Sequence, residues 1–285
     1  MGCVCTKCSK RTDSMDFQSN QSMQNTQNEF RYIDGRRFHN VDNSKYHLPN
    51  DESEIDRLHL QHFMLRYLWQ SNFSAPINDI LSKPGAKILD IGYPLAEVVG
   101  LDISPHQPTT IKPKNFEFVR ADVHERLPFD DNTFDFVFQR FLTFGLVIEK
   151  CQDVVNELVR VLKPGGFLEL CEPSSAFNAG PVTKRLWDCE CEVLKEQGCN
   201  FDLYQYIEGY CQNQGFVSLI IFMIFSQLEN IKKEIRHCCY NDAELGKAVF
   251  SNLIDAYASL KPILTKKLQL SDEEYDELTK ISGNE

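Results

Sequence analysis

Short apolar segments that end on a polar residue alternate with helical segments through the middle of this chain. The apolar segments cover residues 86–92, 97–104, 116–123, 133–140 and 167–173. A helical pattern with Val154, Val155, Leu158, Val159 and Leu162 on one face precedes the fifth segment, and the residues 163–166 (KPGG) break it. Buried apolar runs that alternate with helices are typical of a mainly parallel sheet covered by helices. The sequence therefore predicts an α/β fold.

Polar residues stand where the first four of these strands end. In parallel sheets of this kind, ligands bind outside the carboxyl ends of the strands. Those ends carry Asp90 with Gly92, then Asp102, Asp122 and Gln139. Carboxylate and amide oxygens accept hydrogen bonds from hydroxyl and amino groups. We therefore predict one site along this edge, for a ligand that carries hydroxyls, an amino group and an exocyclic amine.

Two longer segments make the pattern more specific. Residues 127–135 (LPFDDNTFD) and residues 157–166 (ELVRVLKPGG) resemble the "LPF-D-x-FD" and "RVLKPGG" signatures of class I S-adenosylmethionine-dependent methyltransferases, in their small-molecule, fungal-type branch. Residues 88–92 (ILDIG) resemble the first half of motif I of that family. Residues 46–76 resemble a leading helix that lies over the cofactor. The likeness is strong over residues 86–173, moderate over 46–85 and weak over 174–285.

The resemblance implies a Rossmann-like sheet, S-adenosylmethionine as cofactor and a small-molecule acceptor. It also implies roles for residues at the strand ends. Asp102 corresponds to the acidic residue that holds the ribose hydroxyls, and Asp122 to the residue that contacts the amine of adenine. The implied cofactor-binding residues are Asp90, Gly92, Asp102, Ile103, Asp122, Val123 and Gln139.

Motif I departs from the family after Gly92. The family continues with a glycine-rich turn and a helix, whereas here residues 93–96 (YPLA) lead straight into the second strand. A parallel crossover needs about ten to twelve residues or more, so the usual strand–helix–strand unit cannot form. We expect a tight turn that inverts the second strand, the loss of one strand, or pairing with residues 93–97 stretched across.

Intact flanking segments on both sides of Gly92 are what an excised block would leave. We hypothesise that about 15 to 20 residues are missing through alternative splicing or a faulty gene model. Cofactor affinity should then be severely reduced. Sequencing of the native transcript tests this hypothesis, because a continuous message with no longer form would refute it.

The first eleven residues form a separate signal. They fit the pattern for myristoylation of Gly2, and Cys3 and Cys5 stand where S-acylation commonly follows. Lys7, Lys10 and Arg11 add positive charge, and a second acyl chain or a basic patch makes membrane binding stable. We expect a cytoplasmic protein that acylation can anchor to the cytoplasmic face of a membrane. A zinc site at this terminus would lack a fourth ligand nearby.

The domain organisation follows from these segments. We predict a flexible, acylated tether over residues 1–45 and a methyltransferase-like domain over residues 46–285. Within that domain, residues 46–85 form leading helices, 86–173 the cofactor-binding core and 174–285 the substrate cover and last strands. The helical spacing over residues 52–70 predicts an amphipathic leading helix that begins after a cap at Asp51 and has Phe63 on its apolar face, and residues 271–274 (SDEE) are predicted to cap a final acidic helix. Trp187, Phe177, Tyr204 and Tyr206 are candidates for a substrate pocket, although core packing is the more common role of such residues.

Charge and hydropathy exclude other classes of function. A net charge of −11 argues against broad nucleic-acid binding. The longest apolar run, residues 216–225, is too short to span a bilayer. We predict no metal site: His59 and His62 lie three residues apart on one helix face, but no set of ligands that would complete a metal site with them is evident, and helix-face histidines more commonly form local hydrogen bonds.

Two functions from different classes remain. The first is methyl transfer from S-adenosylmethionine to a small-molecule or lipid-like acceptor, with reduced activity in this chain. The second is a non-catalytic interaction module tethered to a membrane. No catalytic base can be assigned, and His39, Tyr46, His47 and Glu172 are candidates by their chemistry alone.

Overall fold

A computed structural model describes residues 29–42, 44–81, 85–91, 99–104, 114–173, 179–212, 222–225, 231–233 and 245–283. The strands are β1 (Phe30–Ile33), β2 (Arg36–His39), β3 (Ile88–Ile91), β4 (Val99–Asp102), β5 (Glu117–Arg120), β6 (Phe134–Arg140), β7 (Leu162–Cys171), β8 (Phe222–Phe225) and β9 (Ile231–Lys233). The helices are α1 (Glu52–Trp69), α2 (Asn78–Leu81), α3 (Cys151–Val161), α4 (Pro181–Glu196), α5 (Tyr204–Gln212), α6 (Leu245–Leu268) and α7 (Asp272–Ser282).

The central sheet has the strand order β5-β4-β3-β6-β7-β8-β9. The first five strands in this order are parallel, and β8 and β9 are antiparallel to their neighbours. Helices flank the sheet, so the predicted Rossmann-like α/β fold is confirmed. Each of the five predicted strands is present, although β7 begins at Leu162 and so includes the residues that we expected only to break the helix.

The pairing of β3 with β4 corrects two of our expectations. The strands are parallel, with Leu89 opposite Val99 and Ile91 opposite Leu101. The second strand is therefore neither inverted nor lost. A four-residue strand is about 13 Å long, and the eight peptide steps from Ile91 to Val99 can cover about twice that distance. The chain is thus long enough to return for parallel pairing without a crossover helix.

The two faces of the sheet have separate apolar cores. One face packs against α3 and α5. Helix α3 presents an apolar stripe at helical spacing, and packing on the sheet removes this stripe from water. Its buried residues include Leu89, Leu101, Val137, Leu168, Val154, Leu158 and Ile207. The other face packs against the segment before β3, and its buried residues are Ala75, Ile77, Phe136, Phe138 and Cys171. The sheet is therefore covered on both sides, as parallel sheets require.

Close backbone packing closes the edge where the parallel strands begin. A Cβ atom on Gly166 would lie 2.8 Å from the carbonyl oxygen of Asp135, so no side chain fits at this position. The carboxylate of Asp135 accepts hydrogen bonds from the Lys87 amide (2.9 Å) and the Lys163 ammonium (2.7 Å). The second glycine of the KPGG segment thus lets β7 lie directly against β6.

The two family signatures are also joined to each other at this edge. Arg160 donates to the carbonyl oxygens of Phe129 (2.8 Å) and Leu127 (3.1 Å). Glu157 pairs with Arg160 and accepts from the Leu127 amide (3.0 Å). The end of α3 therefore holds the loop that precedes β6.

The leading helix α1 begins with Asp51, whose side chain accepts a hydrogen bond from the Glu54 amide and caps the helix as expected. Its buried face differs from our expectation. Phe63, placed by its spacing on the apolar face, is 61% exposed, whereas Glu54 and Arg57 are buried. These two form an ion pair against α6, where Asn252 and Ser259 complete the hydrogen bonding.

A β-hairpin precedes α1, in a region that we expected to belong to the tether. Strands β1 and β2 pair antiparallel around a turn at Asp34 and Gly35. The hairpin contacts the start of α1, because Arg36 forms an ion pair with Asp51 and the Asn50 amide donates to the Arg37 carbonyl (2.7 Å). Ordered structure thus begins before residue 46. The division of the chain into domains otherwise stays a prediction.

Within the described ranges, no helix is both long and apolar enough to cross a membrane. The two last helices, α6 and α7, pack with α4 around Leu186, Tyr257, Leu260 and Tyr275. Helix α7 begins with the predicted cap, in which Ser271 and Glu274 exchange hydrogen bonds with each other's backbone amides.

Candidate functional site

The polar strand ends meet at one edge of the sheet. Ile91 pairs with Leu101 on one side and with Gln139 on the other, so the ends of β3, β4 and β6 are level. Asp102 follows Leu101 and pairs with Arg120 of β5. Asp90 is buried in the middle of this edge. The structure therefore brings Asp90, Asp102 and Gln139 together as the parallel arrangement predicted.

Asp122 also lies at this edge. The amide of Ala121 donates to the carbonyl oxygen of Asp102 at 3.2 Å, which keeps the loop after β5 next to the end of β4. Asp102 at the end of β4 and Asp122 in the loop after the neighbouring strand β5 thus lie at the same end of the sheet. Two carboxylates at one edge can accept hydrogen bonds from two separate polar groups of a single ligand.

The segment before α1 covers the end of β4. Asn50 is buried, and its side-chain amide donates to the hydroxyl of Ser104 at 2.9 Å. The Ser104 amide in turn donates to the Asp102 carboxylate at 2.7 Å. The hydrogen bond to Oδ1 holds the carboxylate of Asp102 in place. The contact between Asn50 and Ser104 places residues 46–50 over the candidate site.

Gln139 is held by a buried carboxylate. Its side-chain nitrogen donates to Glu172 at 2.9 Å, and Glu172 also accepts from the Leu142 amide and from both the amide and hydroxyl of Thr143. Phe141 adopts a left-handed backbone (φ +54°), which turns the chain so that these amides reach Glu172. Burial raises the pKa of Glu172, and the hydrogen bonds from Thr143 and Gln139 oppose that shift. Glu172 therefore orients Gln139, and its bonds leave it poorly placed to act as a base.

The side-chain oxygen of Gln139 differs from the nitrogen in its hydrogen bonding. This oxygen, Oε1, is buried and has no hydrogen-bond partner among the described residues. An unsatisfied buried acceptor is costly to the folded state unless a ligand or water supplies a donor. The position fits an amino or ammonium group of a ligand.

Three other candidate bases lie around the segment before α1. His39 contacts the Tyr46 carbonyl (3.2 Å) and the Ser44 hydroxyl (3.3 Å). Burial raises the pKa of Tyr46, so its hydroxyl stays protonated. The Nδ1 of His47 lies 3.0 Å from the side-chain oxygen of Gln197, and burial lowers the pKa of this histidine. His47 is thus a neutral, buried ring, and its Nε2 has no partner in the described part of the chain.

The remaining predicted residues are divided between core, surface and undescribed segments. Val123 is buried in the core on the α3 side of the sheet, and Ile103 follows Asp102 directly. Trp187 packs edge-on against Phe201 (4.1 Å between ring centres), whereas Tyr206 is 48% exposed. Gly2, Cys3, Cys5, Gly92 and Phe177 lie outside the described residues, as does the side chain of Tyr204.

Two contributors to the site were not predicted. His124 contacts the Asp122 carboxylate at 2.8 Å, and Asn50 reaches the site through Ser104. His124 follows Asp122 by two residues, a spacing at which a side chain can return to the preceding carboxylate. That spacing was the signal available in the sequence.

Comparison with known proteins identifies the family. Residues 83–170 match the family model described as "Methyltransferase domain". Methyltransferase pytC of Aspergillus terreus is 34% identical over 231 residues, which are 71% of this chain and 67% of that protein. N-methyltransferase verN of Clonostachys rogersoniana is 32% identical over 162 residues, which are 50% of this chain and 56% of that protein.

A third relative has a different kind of name. The secondary metabolism regulator laeA of Coprinopsis cinerea is 30% identical over 154 residues, covering 48% of this chain and 38% of that protein. The chain thus spans between about a third and two thirds of the length of these curated relatives. The chain belongs to the S-adenosylmethionine-dependent methyltransferases, and S-adenosylmethionine is the cofactor of that family.

Proposed function

We propose that this chain binds S-adenosylmethionine along the carboxyl edge of β3 to β6 and transfers its methyl group to a small-molecule acceptor. The observation that carries the proposal is the unsatisfied, buried Oε1 of Gln139, a residue that pairs with Ile91 at the same sheet edge as Asp90 and Asp102. In this assignment Gln139 accepts from the amino group of the cofactor, Asp102 holds the ribose hydroxyls and Asp122 accepts from the adenine amine. Asp90, Gly92, Ile103 and Val123 complete the proposed set.

The bound cofactor supplies an electrophilic methyl group on a sulfonium centre. The residues of this chain contribute position and exclusion of water, which are the main sources of rate in such a displacement. Residues 46–50 cover the edge through the Asn50–Ser104 contact, so they are suited to shielding the acceptor from solvent. His47, a neutral residue of this segment, is the base that we favour for a protonated acceptor.

The acceptor class follows from the relatives. Two of them in our comparison are named for methyltransferase activity, and verN is named an N-methyltransferase. We infer a small-molecule acceptor whose nucleophile is an amine nitrogen. A lipid-like acceptor is the other form of the same proposal, and detection of S-adenosylhomocysteine release from a panel of small amines and amine-bearing lipids separates the two.

Titration calorimetry with S-adenosylhomocysteine tests cofactor binding. Because motif I is shortened, we expect weak binding, with a Kd of about 0.1–1 mM. Asp102→Ala should weaken it at least tenfold, since a hydrogen bond to a charged group contributes about 1.5–3 kcal/mol. Asp188→Ala is the matched control, because Asp188 is an exposed residue that pairs with Lys184 on α4. No heat at millimolar ligand, or equal Kd values for both variants, would reject the proposal.

A non-catalytic role is the second candidate. Two observations favour it: the shortened motif I and the resemblance to a protein named a regulator. In this case the sheet edge is retained as a scaffold for a protein partner. The calorimetric experiment separates the two functions, because a scaffold need not bind S-adenosylhomocysteine at any concentration.

We also propose that the N-terminus is acylated on Gly2, Cys3 and Cys5 and attaches the protein to a membrane. The proposal rests on the sequence of the first eleven residues. Mass spectrometry of the mature N-terminus should show myristate on Gly2, and Gly2→Ala should move the protein from the membrane to the soluble fraction of cells. Cys3→Ser combined with Cys5→Ser should weaken membrane attachment while the myristate remains, since one myristoyl chain binds only marginally. An unmodified Gly2 would refute the proposal.

A further inference from the structure

We propose that His124 is a positioning residue that aims one oxygen of the Asp122 carboxylate at the exocyclic amine of the bound adenine. This inference rests on the proposed function, because it concerns how the same site selects its nucleoside. Sequence reasoning gave His124 no role. The evidence is a set of hydrogen bonds that uses both nitrogens of its ring.

The ring of His124 is fixed at both ends. Its Nδ1 lies 2.8 Å from Oδ1 of Asp122, and its Nε2 accepts from the Val147 amide at 3.2 Å. An acceptor at Nε2 requires the proton to be on Nδ1, which then donates to the carboxylate. The side chain of His124 is only 13% exposed. The ring therefore can neither rotate nor exchange tautomers without losing a hydrogen bond.

The two carboxylate oxygens of Asp122 differ in their hydrogen bonding. Oδ1 accepts from the His124 ring and also from the His124 amide at 2.9 Å. Oδ2 makes no hydrogen bond to any residue that the structure describes, and the side chain of Asp122 is 39% exposed. The bonds from His124 hold the pKa of Asp122 below its usual range, so the carboxylate stays an acceptor at neutral pH. Oδ2 is thus the oxygen available to an exocyclic amine.

The Val147 amide that donates to His124 belongs to a segment that other hydrogen bonds hold in place. The next residue, Ile148, donates its amide to the Gly198 carbonyl at 2.9 Å, and the thiol of Cys151 contacts the Val147 carbonyl. His124 therefore connects the loop after β5 to the start of α3 and the end of α4. Through His124, the orientation of Asp122 is thus tied to elements outside its own loop.

Three substitutions separate the two bonds of the ring. In His124→Asn the side-chain nitrogen takes the place of Nδ1, so the bond to Asp122 is kept and the bond to Val147 is lost. In His124→Gln the amide reaches the place of Nε2, so only the bond to Val147 is kept. His124→Ala removes both. His59→Ala is the matched control, because His59 is exposed on α1.

The readout is discrimination between adenine and hypoxanthine. We would titrate each variant with 5′-methylthioadenosine and with 5′-methylthioinosine, and ligand-observed NMR would give the Kd for each probe. These probes carry the base and ribose but no methionine end, so the shortened motif I does not enter. The wild type should bind the adenosine probe about tenfold more tightly, since its amine pairs with a carboxylate. We expect His124→Asn and His59→Ala to keep this ratio, and His124→Gln and His124→Ala to bring it near one.

The outcomes are distinguishable. A ratio that stays near ten in His124→Gln and His124→Ala overturns the positioning role and leaves the proposed function standing. A wild type that binds neither probe overturns the proposed function and the role of His124 with it. If His124→Ala does not fold, the contrast between the Asn and Gln variants decides, because each of them keeps one bond. Loss of general stability alone would weaken both probes equally and would leave the ratio unchanged.

Discussion

Replacement of Arg57 by Met should lower the free energy of unfolding by about 3–5 kcal/mol, because it leaves a buried carboxylate without its partner. Arg57 donates to Glu54 at 2.6 Å, and both side chains are almost fully buried between α1 and α6. Arg57 also opposes the effect of burial on Glu190, whose pKa burial raises to about 7. The substitution therefore removes the cation that two buried carboxylates share.

Urea unfolding followed by circular dichroism measures this change. Lys184→Met is the matched control, since it breaks the exposed pair with Asp188 and should cost less than about 0.5 kcal/mol. The double variant Glu54→Leu/Arg57→Met should recover part of the loss, because the remaining surface is apolar. A loss of less than about 1 kcal/mol in Arg57→Met would show that the pair is not buried in solution.

Insertion of a family-type glycine turn and helix after Gly92 should raise the affinity for S-adenosylhomocysteine about 100-fold. Backbone N–H groups of such a turn and helix start bind a carboxylate, and two hydrogen bonds to a charged group contribute about 3 kcal/mol or more. The flanking strands β3 and β4 are already parallel, so the insert joins strands that have the required direction. Calorimetry on both proteins gives the ratio.

An insert of equal length without glycines is the control for this experiment. It lengthens the connection but cannot bring the backbone close to the ligand, because glycine alone permits that approach without strain. It should leave the affinity near that of the unmodified chain. Equal affinities for the glycine-containing protein and the unmodified chain would contradict the hypothesis that a functional block is missing.

The sequence predicted the fold and the shared edge of the polar strand ends well, because strand ends follow from local patterns. The Asp and Gln residues that end β3, β4 and β6 were placed at one edge by the parallel arrangement alone. Of the alternatives left open for the segment after Gly92, inversion and loss of the second strand were wrong, because β4 pairs parallel with β3. The number of connecting residues indicated that a crossover helix does not fit, but it did not exclude parallel pairing.

Contacts between distant segments explain what the sequence did not reveal. The spacing of α1 predicted Phe63 on its buried side, yet Glu54 and Arg57 take that side because Asn252 and Ser259 of α6 satisfy them. Hydropathy alone ranks such residues as exposed. The link between Glu172 and Gln139 likewise depends on the backbone turn at Phe141, which no local pattern indicates.

The tight approach of β7 to β6 at Gly166 has a consequence for how proteins of this kind are recognised. The two segments that resemble the family signatures, from Leu127 to Asp135 and from Glu157 to Gly166, meet near the end of the sheet opposite the proposed cofactor site. Their contacts, such as those of Arg160 with Leu127 and Phe129, join the helix to the sheet and do not depend on a bound methyl donor. Homologues that have lost catalysis would therefore keep these signatures, and a census of active enzymes should count the glycine turn instead.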